Sequence, residues 1–232
     1  MKKNIGIFIY SFIIVGAFLL FLNSCKKDST VVDPPNTVRD IDGNLYHTIT
    51  IGSQVWMLEN LKVTHYRNGN PIPDVTVDSL WSYLTTGAYC NYENNPVNST
   101  TYGRLYNFYA VNDPRKICPT GWHIPNDSDW TILASYLGGN TIAGGKLKEA
   151  DVTHWQNPNV ADNLSGFTAL PGGVRSYLDA QFCCKGTLGY WWSSTTGGSD
   201  YGDYISLTND NTAFEISYRK RQSGYSVRCL HD

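Results

Sequence analysis

The boundary at Leu22-Asn23-Ser24-Cys25 constrains this chain most, because it fixes the compartment in which the rest folds. Lys2 and Lys3 precede an uncharged, mostly apolar run over residues 5–22. A basic start, an apolar segment and small residues before a cleavage point are the parts of a secretory signal. A Cys directly after them is the residue that such signals offer for lipidation. The sequence therefore predicts a lipoprotein signal peptide over residues 1–24 and a lipid attachment site at Cys25.

A transmembrane anchor is the alternative, since the run is nearly long enough to span a bilayer. A retained anchor needs no Cys at its boundary, whereas two or more acyl chains on Cys25 hold a protein durably at a membrane. Residues 25–37 are polar and contain two prolines, so we expect a flexible tether. Lys26, in place of Asp, favours outer-membrane delivery, facing either the periplasm or the cell surface.

Residues 38–232 suit one domain with a core of its own. The chain has 7 Trp, 16 Tyr and 21 Gly but only 2 Met, a composition typical of twisted antiparallel strands joined by turns. Charged residues make up only 16% of the chain and the formal net charge is -2. Because no basic field is present, nucleic acid is not expected as a partner.

Local patterns predict several elements. Asp42-Gly43 and the alternation that follows predict an antiparallel meander up to Leu58. Residues 104–111 have helical spacing, and Asn126 caps a second helix that Gly138-Gly139 ends. Further strands are expected near residues 167–170, 190–194, 204–207, 213–218 and 225–230, with irregular structure over residues 67–101.

Five cysteines follow Cys25, and an odd number in an oxidising compartment leaves one free thiol or a bond to another chain. Neither paired CxxC motifs nor an HExxH motif is present, so the sequence predicts no metal and no cofactor. His123 and the first-turn acids Asp127 and Asp129 have structural explanations, which gives them no catalytic role. No GxSxG elbow, phosphate-binding loop or dinucleotide fingerprint occurs.

A series of motifs between Asp40 and the C-terminus resembles the Fibrobacter succinogenes major paralogous domain, which is found in lipoproteins of that genus and of Bacteroidetes. The motifs are Asp42-Gly43-Asn44, Trp56-Met57-Leu58-Glu59-Asn60-Leu61, Tyr102-Gly103-Arg104-Leu105-Tyr106-Asn107, Cys118-Pro119-x-Gly121-Trp122-His123-Ile124-Pro125, Asp129-Trp130, Gly166-Phe167-x-Ala169-Leu170-Pro171-Gly172-Gly173, Trp192-Ser193-Ser194 and Ser226-Val227-Arg228-Cys229. The order of these motifs is also similar to that of C-type-lectin-like and formylglycine-generating-enzyme-like domains.

This resemblance implies an α+β, C-type-lectin-like fold with short antiparallel sheets, two helices and long irregular loops. It also implies a disulfide between Cys118 and Cys229. For the remaining cysteines we expect one bridge from Cys90 to either Cys183 or Cys184. A bond between the adjacent Cys183 and Cys184 is the alternative.

Function is expected to be recognition rather than catalysis. Lectin-type calcium ligands are missing, since Trp192-Ser193-Ser194 stands where Trp-Asn-Asp is expected, although Asp151, Asp162 and Asn163 could bind calcium by another route. The related enzyme needs two cysteines a few residues apart, whereas Cys183 and Cys184 are adjacent.

We therefore predict a non-catalytic, lipid-anchored cell-envelope module, either a surface-structural domain or one that binds a glycan or an envelope protein. A formylglycine-generating-like or other thiol redox enzyme is the alternative, and an inert spacer is the third option. Candidate ligand-binding residues are Trp155, Tyr177, Tyr190 and Asp162, because aromatic faces beside carboxylates suit sugars or peptides. Each of these aromatic rings could equally fill a small core.

Overall fold

The described chain begins with the antiparallel meander that Asp42-Gly43 predicts. A computed structural model describes residues 33–232. Asp40 closes the first turn, since its carboxylate accepts hydrogen bonds from the backbone N–H groups of Asp42 (3.0 Å) and Asn44 (2.9 Å). The hydroxyl of Tyr46, buried under the turn, donates to the same carboxylate at 2.6 Å. Local turn chemistry therefore fixes the start of the fold.

Within residues 33–232 the backbone forms twelve strands and five short α-helices. The strands are β1 (Thr37–Arg39), β2 (Leu45–Ile51), β3 (Gln54–Met57), β4 (Tyr89–Cys90), β5 (Leu105–Tyr106), β6 (Trp122–His123), β7 (Val174–Arg175), β8 (Phe182–Cys183), β9 (Leu188–Trp192), β10 (Tyr201–Thr208), β11 (Glu215–Lys220) and β12 (Leu230–His231). The helices are α1 (Asp78–Trp81), α2 (Pro96–Tyr102), α3 (Phe108–Val111), α4 (Asp127–Tyr136) and α5 (Ala143–Leu147). This mixture, with mostly antiparallel pairing, is an α+β fold, and it contains more helices than the two expected.

The largest sheet joins the two ends of the described chain. Its strand order is β1-β2-β3-β12-β6, and Leu230 pairs with Trp56 on one side and His123 on the other. A second sheet has the order β11-β10-β9. Two further strand pairs form, β4 with β5 and β7 with β8. The chain thus returns at its end to the sheet in which it began.

The last residues of the predicted tether, from Asp33 onward, already make contacts with the domain. Asp33 accepts hydrogen bonds from the guanidinium of Arg39 at 2.9 and 2.8 Å, and the carbonyl of Asn36 accepts from Thr48 at 2.8 Å. The domain therefore begins several residues before position 38. The predicted signal peptide and Cys25 lie outside the described residues. In the described part of the chain, no helix combines the length and apolar character that a bilayer crossing requires.

The helix predicted before Asn112 needs correction. The helix predicted over residues 104–111 begins only at Phe108, because Asn107 acts as its N-cap and accepts a hydrogen bond from Ala110 at 3.0 Å. The residues before Asn107 form β5, where Tyr106 donates to the carbonyl of Tyr225 at 2.8 Å. Tertiary pairing overrides the helical spacing there.

Helix α4 begins and ends where the sequence predicts. Asn126 accepts from the backbone N–H of Asp129 at 3.1 Å, and Asp129 accepts in return from Asn126 at 2.9 Å, which completes a capping box. The predicted strand over residues 225–230 shrinks to β12, and residues 167–170 contribute only a single bridge, between Ala169 and Lys148. Thr168 has a positive φ of 54°, which interrupts the first of these segments in chain order, and Tyr225 and Ser226 make only isolated bridges, to Tyr106 and Trp191.

The aromatic residues that suggested binding surfaces mostly build the core. All seven tryptophans of the chain are buried. Trp56 packs against Trp130 with ring centroids 4.7 Å apart, and against Phe167 at 5.5 Å in an edge-to-face arrangement. Such pairs contribute about 0.5–1.5 kcal/mol beyond the burial of their surface. The tryptophan residues of this chain therefore serve to pack the core.

A buried guanidinium links the core to two of the sequence motifs. Arg228 is only 1% exposed and donates from Nε and Nη2 to Oδ1 of Asn60 at 3.2 and 3.0 Å. Its Nη1 donates to the carbonyl of Phe167 at 2.6 Å, and the same residue's ring lies 4.2 Å from the guanidinium carbon. Burial lowers the pKa of Arg228 to about 9. Trp191 also donates to Oδ1 of Asn60, at 2.8 Å. The side chain of Asn60 therefore links the segment after β3 to β9 and to the segment before β12.

The disulfides follow one expectation and overturn another. Cys118 is bonded to Cys229 across 111 residues, the pairing that the resemblance implies. The expected bridge from Cys90 to Cys183 or Cys184 is wrong, because Cys183 and Cys184 are bonded to each other. Among the described residues Cys90 is free, and it is fully buried in β4. Cys184 adopts a positive φ of 73°, a conformation that places the adjacent thiols on one side of the turn.

Candidate functional site

The four predicted ligand residues do not form one site. Trp155 is 1% exposed, and its indole N–H donates to the carbonyl of Ala169 at 2.8 Å. The prediction that Trp155 binds a ligand at the surface is therefore wrong, since its ring fills the core beside the buried amine of Lys148, 5.3 Å away.

Tyr190 and Asp162 likewise have local structural roles. Tyr190 is half-buried and stacks on Tyr225, with centroids 4.9 Å apart and planes 14° from parallel. Burial raises the pKa of its phenol. Asp162 is exposed and accepts a hydrogen bond from the backbone of Leu164 at 3.0 Å, which shapes a turn. Neither side chain lines any of the depressions described below, whereas Tyr177 does.

A first depression of about 320 Å³ lies beside β6. It is lined by residues 111–114, 116–118 and 122–124 and by Ser194. Two lining residues, Cys118 and Trp122, are tied together from outside the depression, because the guanidinium of Arg67 donates to their carbonyls and to that of Pro119 at 2.7–3.0 Å. The backbone of Ser194 donates to the carbonyl of Pro125 at 2.8 Å.

His123 lines the first depression but carries two carboxylate partners. Its Nδ1 lies 2.7 Å from Asp232 and its Nε2 lies 3.4 Å from Asp129. Both ring nitrogens therefore face carboxylates, which gives the position of the imidazole a structural explanation.

A second depression of about 260 Å³ adjoins the first. Its lining comprises residues 85–87 and 112–115, Tyr109 and Arg221, so that residues 112–114 are common to both depressions. Arg115 donates to Asp113 at 2.8 and 2.7 Å and lies over the ring of Tyr66 at 3.9 Å. The hydrogen bond from Arg115 holds the pKa of Asp113 below its usual range. This ion pair forms a fixed, charge-neutral ridge between the two depressions.

A third depression of about 250 Å³ continues from the second. Tyr109 lines both, and the other lining residues are Ser82, Tyr177, Asp200, Lys220 and Gln222. The amide of Gln222 donates to the hydroxyl of Tyr109 at 3.3 Å and to the carbonyl of Leu84 at 3.2 Å. A hydrogen bond from Lys220 to Asp200, at 3.0 Å, lowers the pKa of Asp200.

These three adjoining depressions together form what we term the groove. Helix α3 and the turn after it, residues 109–114, supply the lining common to its parts. The groove presents half-exposed tyrosine rings, an Asn and a Gln amide, and fixed ion pairs. Aromatic faces with planar amides beside them suit the rings and hydroxyls of sugars. The described residues contain no group of three or more His, Cys, Asp or Glu side chains that could hold a metal ion.

Residues 49–231 match the sequence profile of the Fibrobacter succinogenes major domain. The chain belongs to this family. The match runs from the last residues of β2 to the end of β12 and therefore contains the whole groove as well as the Cys118–Cys229 disulfide. Neither a curated protein nor a solved structure matches the chain.

In this Fibrobacter succinogenes major domain, several motif residues serve the scaffold. Asn60 and Arg228 make the buried network, and Asp129 completes the α4 capping box. Trp122 and His123 belong to a motif as well, yet they line the groove. The sequence alone did not separate these two kinds of residue, because both occur in the same short motifs.

The residues at the centre of the groove were missed by sequence reasoning. The helical spacing of residues 104–111 predicts Tyr109 on the apolar face of a helix, whereas Tyr109 is half-exposed and lines two depressions. Its environment depends on Gln222, more than a hundred residues away in sequence. The local signal that could have helped was Asn112-Asp113-Pro114, a polar turn directly after an aromatic helix.

A carboxyl pair lies near the first depression. Asp203 in β10 faces Asp127 at the start of α4, and the backbone N–H of Asp127 donates to Thr195 at 3.0 Å. Burial, together with the hydrogen bond and charge of Asp127, raises the pKa of Asp203 to about 6. Sequence reasoning explained Asp127 by the helix dipole alone, since its partner lies on a distant strand.

Proposed function

We propose that this domain is a non-catalytic recognition module that binds an extended polysaccharide along the groove. The observation that carries the proposal is the continuity of the groove: the first and second depressions share residues 112–114, and the second and third share Tyr109. A site for a single small molecule is usually one concave pocket. Three adjoining shallow depressions are instead suited to several successive units of a chain.

The chemistry of the groove supports a sugar ligand. Tyr109 and Tyr177 can each pack a ring face against a pyranose, and their hydroxyls can also take part in hydrogen bonds. Asn112 is exposed, so its amide is available to donate to and accept from hydroxyl groups. Preformed ion pairs keep the lining in place without a ligand, which reduces the ordering that binding requires.

The cysteines support a role without thiol chemistry. Nucleophilic cysteines act as thiolates, and burial raises the pKa of Cys90 to about 12. Cys183 and Cys184 are bonded to each other and line no part of the groove. A formylglycine-generating-like reaction at these residues therefore finds little support.

The wider setting is also part of the proposal. We propose a C-type-lectin-like variant of the α+β fold, supported by first and last strands that share one sheet and by a disulfide at the last strand. Lipidation at Cys25 would hold the domain at the cell envelope, in line with the signal sequence before it. Sugar binding in this groove would proceed without calcium.

The test is a glycan-array screen of the full chain in detergent, followed by titration calorimetry with each glycan that binds. Tyr109→Ala and Tyr177→Ala should each weaken binding about tenfold, because each removes a ring worth roughly 1–2 kcal/mol. Tyr136→Ala is the matched control, since Tyr136 is 65% exposed and lies outside the groove. Binding that survives both groove variants, or an array without any bound glycan, would overturn the proposal.

A further inference from the structure

The groove carries an excess of positive charge. Four cationic side chains line it, namely Arg115, Lys116, Lys220 and Arg221. Only two carboxylates do so, those of Asp113 and Asp200. The chain as a whole has a formal net charge of -2, so this excess of two positive charges is local to the groove.

Two of the four cations are already neutralised. Arg115 is bound to Asp113 at 2.7 Å and Lys220 to Asp200 at 3.0 Å. Over residues 33–232, no carboxylate lies within ion-pair distance of Lys116 or of Arg221. The unbalanced charge of the groove therefore belongs to these two side chains.

The fold fixes the backbone of Lys116 and the guanidinium of Arg221. Lys116 is exposed in the first depression, and its backbone donates to the carbonyl of Asp113 at 2.9 Å in a tight turn. Arg221 lies in the second depression, where Nη2 donates to the carbonyl of Gly198 at 3.0 Å. Its guanidinium lies 5.3 Å from the centre of the Phe108 ring. The two charges thus occupy successive parts of the groove.

We infer that the ligand of the groove is an acidic polysaccharide, one that carries carboxylate or sulfate groups on successive sugar units. This inference rests on the proposed function and names the class of sugar. Lys116 and Arg221 contact the acidic groups in the first and second depressions, while the rings of Tyr109 and Tyr177 pack on sugars in the second and third. Hydrogen bonds between ionised partners are stronger than neutral ones, and guanidinium matches both carboxylate and sulfate in geometry. The local positive field also attracts a polyanion to a protein of negative net charge.

The test compares each acidic oligosaccharide with a neutral partner of the same backbone. Oligogalacturonate is paired with its full methyl ester, and dextran sulfate with dextran, each titrated into the full chain in detergent. The acidic member of at least one pair should bind about tenfold more tightly than its neutral partner, and the preference should shrink as salt is raised. Preference for oligogalacturonate assigns carboxylate as the recognised group, and preference for dextran sulfate assigns sulfate.

The variant Lys116→Gln/Arg221→Gln should abolish the preference for the acidic member, so that both members of each pair bind with similar affinity. The control Lys62→Gln/Lys185→Gln makes the same change in charge at side chains that line no part of the groove, and it should keep the preference. Equal binding of both members in every pair, or a preference that the control also abolishes, overturns this inference. Tyrosine-dependent binding of neutral glycans would at the same time leave the proposed function standing, so the two can fail separately.

Discussion

The carboxyl group of Asp203 lies within hydrogen-bonding distance of that of Asp127, which joins β10 to the first turn of α4. The folded protein holds a proton at this pair up to a pH of about 6, which is the pKa of Asp203. An unfolded Asp titrates near pH 3.9. The pair's contribution to the free energy of unfolding is therefore fully present below about pH 4 and is lost as the pH rises through about 6.

Asp203→Asn should remove this pH dependence, because the amide can donate to Asp127 at every pH. The urea midpoint of the variant relative to the parent should rise between about pH 4.5 and about pH 7.5. Asp162→Asn serves as the control, since the exposed Asp162 only accepts a backbone hydrogen bond that an amide oxygen can also accept. If the urea midpoints of both variants, relative to the parent, change with pH in the same way, Asp203 and Asp127 do not share a proton.

Replacing both Cys118 and Cys229 by Ser should lower the free energy of unfolding by about 4 kcal/mol, because the bond closes a long loop in the unfolded chain. The sequence separation is 111 residues. Replacing Cys183 and Cys184 by Ser is the matched control, since their bond spans a separation of 1 and restricts the unfolded chain very little. Urea unfolding measures both. Equal losses from the two double variants would show that loop closure is not the source of the stability.

Asn60→Ala should cost about 3 kcal/mol, because it leaves the buried guanidinium of Arg228 and the indole N–H of Trp191 without their common acceptor. Asn68→Ala removes only a hydrogen bond to an exposed backbone group and should cost less than about 1 kcal/mol. The free energies of unfolding from urea titrations compare the two. A small effect at Asn60 would mean that water replaces the amide at this site.

Cys90 should resist alkylation by iodoacetamide in the native protein and react once in urea. Its side chain is fully buried and its pKa of about 12 keeps it as a thiol. Mass spectrometry without reductant should find one alkylated Cys among the cysteines of residues 33–232. Cys90→Ala should abolish that label. A label on Cys183 or Cys184 in urea would instead favour the bridge to Cys90 that the sequence suggested.

The sequence predicts those elements whose signals are local. The Asp42-Gly43 turn, the Asn126 cap and the Gly138-Gly139 stop lie where the structure has them. Tyr106 shows where this approach fails, because its strand depends on pairing with Tyr225, which lies far away in sequence. The same limit applies to the candidate site: Tyr177 lines the groove whereas Trp155 lies in the core, and composition does not tell a buried aromatic residue from an exposed one.

The common sheet of β1 and β12 has a consequence for how such a domain can be combined with others. Only β2 and β3 separate the two strands, which places Thr37 and Leu230 roughly 15 Å apart at the usual strand spacing. A segment whose ends lie that close can be spliced into a surface loop of another protein, or follow itself in tandem, without distorting its host. The domain is therefore suited to insertion into other proteins and to tandem repetition. In each case the groove would stay the same and only the flanking segments would differ.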